Sequence, residues 1–123
     1  MRYLVLLLLT LTVSCQSNEH KLEEGRWVGA LSPMNHPKME NPVAYDVSYN
    51  ESDELEIILI GPSGAPIQTR KPKLNADTLT FSFNEPDKQV YLNCKLIQDK
   101  NSFSGKCTDM EGKWAKFTMN PPQ

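Results

Sequence analysis

The chain has 123 residues, with 13 Lys and Arg against 15 Asp and Glu and a formal net charge of −2 at neutral pH. That length suits one domain. A balance this close to neutral, and on the acidic side, argues against a surface that tracks nucleic-acid phosphates, and no internal repeat at solenoid spacing is present.

At the N-terminus Met1 and Arg2 precede an apolar run, residues 3–13, that ends in Ser14 and Cys15. A charged start, a greasy middle and a small residue at the cut are the physical layout of a secretory signal peptide. The run is about a dozen residues, short of the ~20 that span a bilayer. An ordinary secretory signal with an incidental cysteine and a membrane anchor are the other readings. Leu11-Thr12-Val13-Ser14-Cys15 resembles the lipobox of bacterial lipoproteins. The resemblance implies cleavage before Cys15 and acylation of the new N-terminus, palmitate among the chains. Gln16, rather than Asp, follows the cysteine, which by the same resemblance implies the outer membrane, facing the periplasm. Two or more acyl chains attach a protein stably where one does not. On this reading residues 1–14 are the signal peptide, 15–24 the lipidated cysteine and a polar tether, 25–119 the domain and 120–123 a tail. The mature 109 residues carry 12 Lys and Arg against 15 Asp and Glu, a net charge near −3.

From Gly25 onward apolar and polar residues alternate in short bursts, the period of half-buried strands. The bursts cover 26–31, 43–49, 55–60, 67–71, 78–83, 89–97, 102–108 and 113–119. Clusters of Asn, Asp, Ser, Gly and Pro separate them, as at Asn50-Glu51-Ser52-Asp53 and Gly61-Pro62-Ser63-Gly64. No stretch of the mature chain shows a useful helical period. Short connections favour antiparallel neighbours. The pattern predicts an all-β, eight-stranded up-and-down meander that closes into a small barrel or a curved half-barrel.

Alternation also assigns faces. Trp27, Gly29 and Leu31 share the inward side of the first strand, and Val43, Tyr45, Val47 and Tyr49 that of the second. Leu55, Ile57 and Leu59; Leu79, Phe81 and Phe83; Leu92, Cys94 and Leu96; and Ala115, Phe117 and Met119 continue the pattern. Val28, Ile58, Ile60, Ile97 and Trp114 fall on the other side. They are either scattered surface hydrophobes or a contact patch for a second copy or a partner.

Cys94 and Cys107 flank the turn around Lys100-Asn101. If those two residues form the hairpin loop, Gln98 lies opposite Phe103, Leu96 opposite Gly105, and Cys94 opposite Cys107. Directly opposed Cβ atoms come near enough for a disulfide after local adjustment, and an exported chain meets oxidising conditions. Buried free thiols, a redox pair and half of a metal site are the alternatives. Redox pairs usually use Cys-x-x-Cys at a helix start, and zinc needs further ligands nearby. A structural disulfide is the best reading. Its contribution should fall below the ~3 kcal/mol of a free loop of about this length, because the hairpin already holds its ends.

Catalytic patterns are missing: there is no Gly-x-Ser-x-Gly elbow, phosphate-binding glycine loop or His-Glu-x-x-His. His20 lies in the tether and His36 in the long connection 32–42. The expectation is a non-enzyme without a cofactor. Met34, His36 and Met39 form a soft thioether–imidazole set of the kind that suits copper, set against the simpler reading of a flexible lid over a barrel end. Asn50-Glu51-Ser52 matches a glycosylation sequon and is taken as coincidence.

Gly25-Arg26-Trp27 resembles the Gly-x-Trp start of lipocalins and avidins. With Trp27-Val28-Gly29-Ala30-Leu31, Leu79-Thr80-Phe81, Tyr91, Gly105, Gly112 and Phe117, the body resembles the small lipocalin-like domains of secreted bacterial proteins. The resemblance implies a calycin-type barrel that binds a small apolar or amphipathic ligand at its mouth, with Trp27, Met34, His36, Met39 and Tyr45 as candidate contacts. An eight-stranded barrel can be filled by side chains or hold one small ligand, and strands of six or seven residues reach only ~20–23 Å, so a packed interior stands beside a hollow one. A second function is a protein-interaction module, such as an inhibitor or assembly accessory of the envelope. A copper-binding protein is the third.

Overall fold

The computed structural model describes residues 21–85 and 90–123. The signal peptide, the lipidation site Cys15 and residues 16–20 of the tether lie outside these residues. Within them the chain contains no helix and forms nine strands. These are β1 (Gly25–Pro33), β2 (Asn41–Tyr49), β3 (Leu55–Ile60), β4 (Pro66–Gln68), β5 (Arg70–Asn75), β6 (Thr78–Glu85), β7 (Val90–Asp99), β8 (Ser102–Thr108) and β9 (Trp114–Met119). One antiparallel sheet runs β4-β3-β2-β1-β9-β8-β7-β6-β5. Apart from β4 and β5, which form the two edges, strands that follow one another in sequence pair, β1 pairs with β9, and the sheet curls into a nearly closed up-and-down barrel.

The expected eight strands become nine at one corner. The burst at 67–71 is cut at Thr69, which lies between β4 at one edge of the sheet and β5 at the other. Its N–H and its hydroxyl both donate to the Ile57 carbonyl of β3, at 3.2 and 2.7 Å. One residue later Arg70 pairs with Ser82 of β6. Lys71 follows at φ 51° and the register slips between Arg70 and Lys73. A strand carrying Pro72 cannot donate a full ladder, so β4–Thr69–β5 acts as one bent strand passed from β3 to β6. This hand-over draws the two sheet edges together.

The inward faces follow the alternation. Trp27, Val43, Tyr45, Val47, Ile57, Leu59, Leu79, Phe81, Phe83, Cys94, Leu96, Phe103, Cys107, Phe117 and Met119 are all buried in one cluster. Strand coiling requires glycine at two places. A Cβ on Gly29 would collide with the Thr118 carbonyl of β9, and one on Gly105 with the Lys95 carbonyl of β7. The β7–β8 hairpin has the expected register, with Leu96 opposite Gly105, Gln98 opposite Phe103 and Cys94 opposite Cys107. The two cysteines form a disulfide, their Cα atoms 3.9 Å apart.

Two polar turns stabilise the loops. The Asn50 side-chain Oδ1 accepts from the N–H groups of Ser52 (2.8 Å) and Glu54 (3.0 Å). The Asp109 carboxylate accepts from Glu111 (2.8 Å) and Lys113 (2.9 Å) in the same manner. The apolar residues of the outer face divide. Val28, Ala44 and Ile60 lie in one cross-strand row on β1–β3, beside Ile58. Ile97 and Trp114 belong to β7 and β9, with Trp114 beneath the Lys106 ammonium at 4.2 Å.

Candidate functional site: the open end of the barrel

Strand direction decides which residues can meet. β1 starts at one end, the base, and runs to the other, the mouth. Loops 34–40, 61–65 and 109–113 surround the mouth, while loops 50–54, 76–77 and 100–101 and residues 21–24 and 120–123 gather at the base.

The base is sealed. Trp27 packs edge-on to Phe103, with ring centroids 5.9 Å apart. Leu22, from the sequence read as tether, is 4% exposed and plugs the opening. Its carbonyl accepts from the Tyr49 hydroxyl at 3.0 Å, and the Glu23 carbonyl accepts from the Trp27 indole N–H at 2.8 Å. Lys21 pairs with Asp53 at 2.9 Å. Residues 21–24 thus form a strap across the base, and the packed body extends further toward the N-terminus than Gly25.

Tyr45 lies within the filled interior, fully buried. Its hydroxyl crosses the gap left by Gly29 and donates to the Thr118 carbonyl at 2.9 Å. In the same place the Ala30 N–H turns to the Thr118 hydroxyl at 3.0 Å. Burial pushes the Tyr45 hydroxyl well above the ordinary tyrosine range, so it stays neutral and donates. Burial raises Tyr49 as well.

The mouth is hollow, with a cavity of about 880 Å³. On nearly every strand an inward residue of the mouth half contributes to it: Leu31, Val43, Leu59, Ile67, Phe83, Leu92 and Phe117. Most of these are aliphatic and too short to meet across the barrel, whereas the base has Trp27, Tyr45, Phe81 and Phe103. Phe83 and Phe117 pack edge to face at 6.4 Å and, with Leu59 and Val43, make an apolar floor. The rim is mixed: Met34, Asn35, Ser63, Glu85, Met110, Glu111, Lys113 and Trp114. Met110 is 87% exposed at the tip of its loop. A cavity of this kind can take an apolar body on its floor and keep a polar end in water.

Of the five contacts expected from sequence, Met34 lines the cavity. Trp27 and Tyr45 do not, because both stand below its floor. His36 and Met39 sit in the mouth loop but outside the cavity wall. Two tight turns shape that loop, with the His36 N–H donating to the Pro33 carbonyl and the Met39 N–H to the His36 carbonyl, each at 3.0 Å. Among the described residues no group of three or more His, Cys, Asp or Glu side chains is arranged to hold a metal. The floor residues were absent from the sequence-based site although their signal was present: each is an inward position on the mouth half of its strand.

No protein-family model matches the chain, and no curated protein matches it. Among solved structures it is similar to a redesigned β-barrel, with a TM-score of 0.63 and 16% identity over 81% of this chain and 91% of that one. A second, the redesigned β-barrel mFAP1 bound to DFHBI, gives a TM-score of 0.62 and 18% identity over 79% of this chain and 93% of that one. At such identities the likeness is one of fold.

Proposed function

We propose that this chain is a non-catalytic, lipid-anchored envelope protein whose barrel receives a small apolar or amphipathic molecule through its open end. The observation that carries the binding half is the cavity of about 880 Å³ with an apolar floor and a mixed rim, within the ~300–1,000 Å³ of small-molecule sites. A redesigned barrel of the same fold holding DFHBI supports it. The anchoring half rests on the order of residues 1–16.

The binding half is tested with N-phenyl-1-naphthylamine, an uncharged apolar fluorophore, titrated into the full chain. Saturable one-to-one binding is expected, weakened at least tenfold by Leu59→Trp, which fills the floor while the sealed base keeps the fold. Absence of binding, or equal binding by the variant, overturns this reading. The anchoring half is tested by incorporation of labelled palmitate in a bacterial host, which Cys15→Ser should abolish. Label that persists in the variant refutes acylation at Cys15.

A further inference from the structure

The near-neutral total conceals a separation of charge. Residues 21–69 carry three Lys and Arg against eight Asp and Glu, whereas the described residues from 70 onward carry eight against five. The second group is concentrated on one wall. On the outer face of β5–β9 the registers place Lys116 opposite Lys106, Lys106 opposite Lys95, Lys95 opposite Thr80, and Thr80 opposite Lys73. All four lysines are exposed. The row toward the mouth reads Trp114, Thr108, Asn93, Ser82 and Arg70, and the row toward the base Thr118, Ser104, Ile97, Thr78 and Asn75. No carboxylate stands in these three rows. The described acids of this half, Asp77, Glu85, Asp99, Asp109 and Glu111, are at strand ends and in loops.

Like charges directly opposite one another on a sheet are destabilising. A ladder of three lysines without an interleaved acid therefore opposes the fold unless an anionic surface covers it. The character of the wall indicates which one. Trp114, half-buried, and Ile97, 42% exposed, flank the lysines on either side. Tryptophan and long amines beside apolar groups suit the boundary between head groups and acyl chains, whereas a soluble polyanion would meet only the amines.

We propose that the outer wall of β7–β9 rests on an anionic lipid surface, with Lys95, Lys106 and Lys116 over the head-group phosphates and Trp114 and Ile97 at head-group depth. The lysine wall is separate from the cavity and shares only the rim residue Trp114 with it; it turns one flank of the barrel, rather than its mouth, toward the bilayer.

The test uses the full chain carrying Cys15→Ser, so that no acyl group contributes. Partitioning is measured on vesicles of phosphatidylcholine alone and of phosphatidylcholine with three-tenths phosphatidylglycerol. The leader, with Arg2 and the N-terminal amine, also favours the anionic vesicles, so the share of the wall is read from the change in this gap when its lysines are replaced. Each surface lysine is worth about a fivefold gain on an anionic membrane. The expected result is at least tenfold tighter partitioning on the anionic vesicles, a gap that closes as salt rises. Replacing Lys95, Lys106 and Lys116 together by Gln should reduce the gap below about threefold, on the same fivefold-per-lysine scale. Thermal unfolding of that variant should be unchanged or higher, since repulsion is removed. Should it fail to fold, Lys95→Gln and Lys116→Gln singly should each lower the gap by a few fold. Equal partitioning on the two vesicles, or an unchanged gap in the variants, overturns the proposal. So does tight binding of soluble heparin without a vesicle gap, which reassigns the wall to a soluble polyanion.

Discussion

The two ends of the barrel are built from the same strands and differ in what those strands point inward. At the base, Trp27, Tyr45, Phe103, Leu96 and Met119 fill the section, and the 21–24 strap covers it. At the mouth, Leu31, Val43, Leu59 and Leu92 line a section of similar width with less volume, and a cavity remains. Packing and free volume thereby fall at opposite ends of one short cylinder. Strand-end residues at the mouth can be exchanged while the base continues to hold the fold.

The largest test of this division is Trp27→Ala. It removes the ring against Phe103 and the anchor for Glu23, so a loss of about 3–5 kcal/mol is expected in urea unfolding. Met34→Ala at the rim should change stability by less than about 0.5 kcal/mol in the same assay. Similar losses from both would remove the contrast between the ends. Opening the bond between Cys94 and Cys107 by replacing both with Ala should cost about 2 kcal/mol, because the hairpin limits the entropy released. Next is Tyr45→Phe, which keeps the ring and leaves the buried Thr118 carbonyl without its donor; about 1–2 kcal/mol is expected.

The smallest effect is on the outside. Arg26 donates to Asp46 at 2.7 Å and holds that carboxylate below the ordinary carboxylate range. A depressed pKa stabilises the fold above the ordinary value, about 4, and that contribution disappears as pH falls through the lower folded value. Both side chains are well exposed, so the effect is small. Asp46→Asn should flatten the acid limb of a stability–pH curve slightly and leave binding at the mouth unaltered.

Faces and hairpin register were legible because they are local. Period-two alternation separated Trp27 from Val28 and Ile57 from Ile58, and a two-residue turn at Lys100-Asn101 was enough to bring Cys94 to Cys107. The corner at Thr69 was not legible. It depends on a change of partner from β3 to β6, and partners belong to the whole barrel rather than to the segment. Leu22 was hidden for a related reason: a single apolar residue among charges has no period, and only the finished base shows what it covers. The candidate site suffered from height rather than face. Trp27 and Tyr45 were correctly turned inward, yet Trp27 is near the start of β1, and the loop expected to meet it follows that strand's far end. Counting along the strands would have selected Val43, Leu59 and Phe117 instead. Charge was legible only as a total, which averages over walls; the same register that joins the cysteines also places Lys95 beside Lys106.

The pairing of β1 with β9 has a consequence for how the molecule comes into being. Every other main ladder joins neighbours in the chain, so hairpins can arise one after another as the polypeptide lengthens. The first strand has no second neighbour until the last has been made. Cooperative closure therefore waits until the ribosome has delivered residues 114–119.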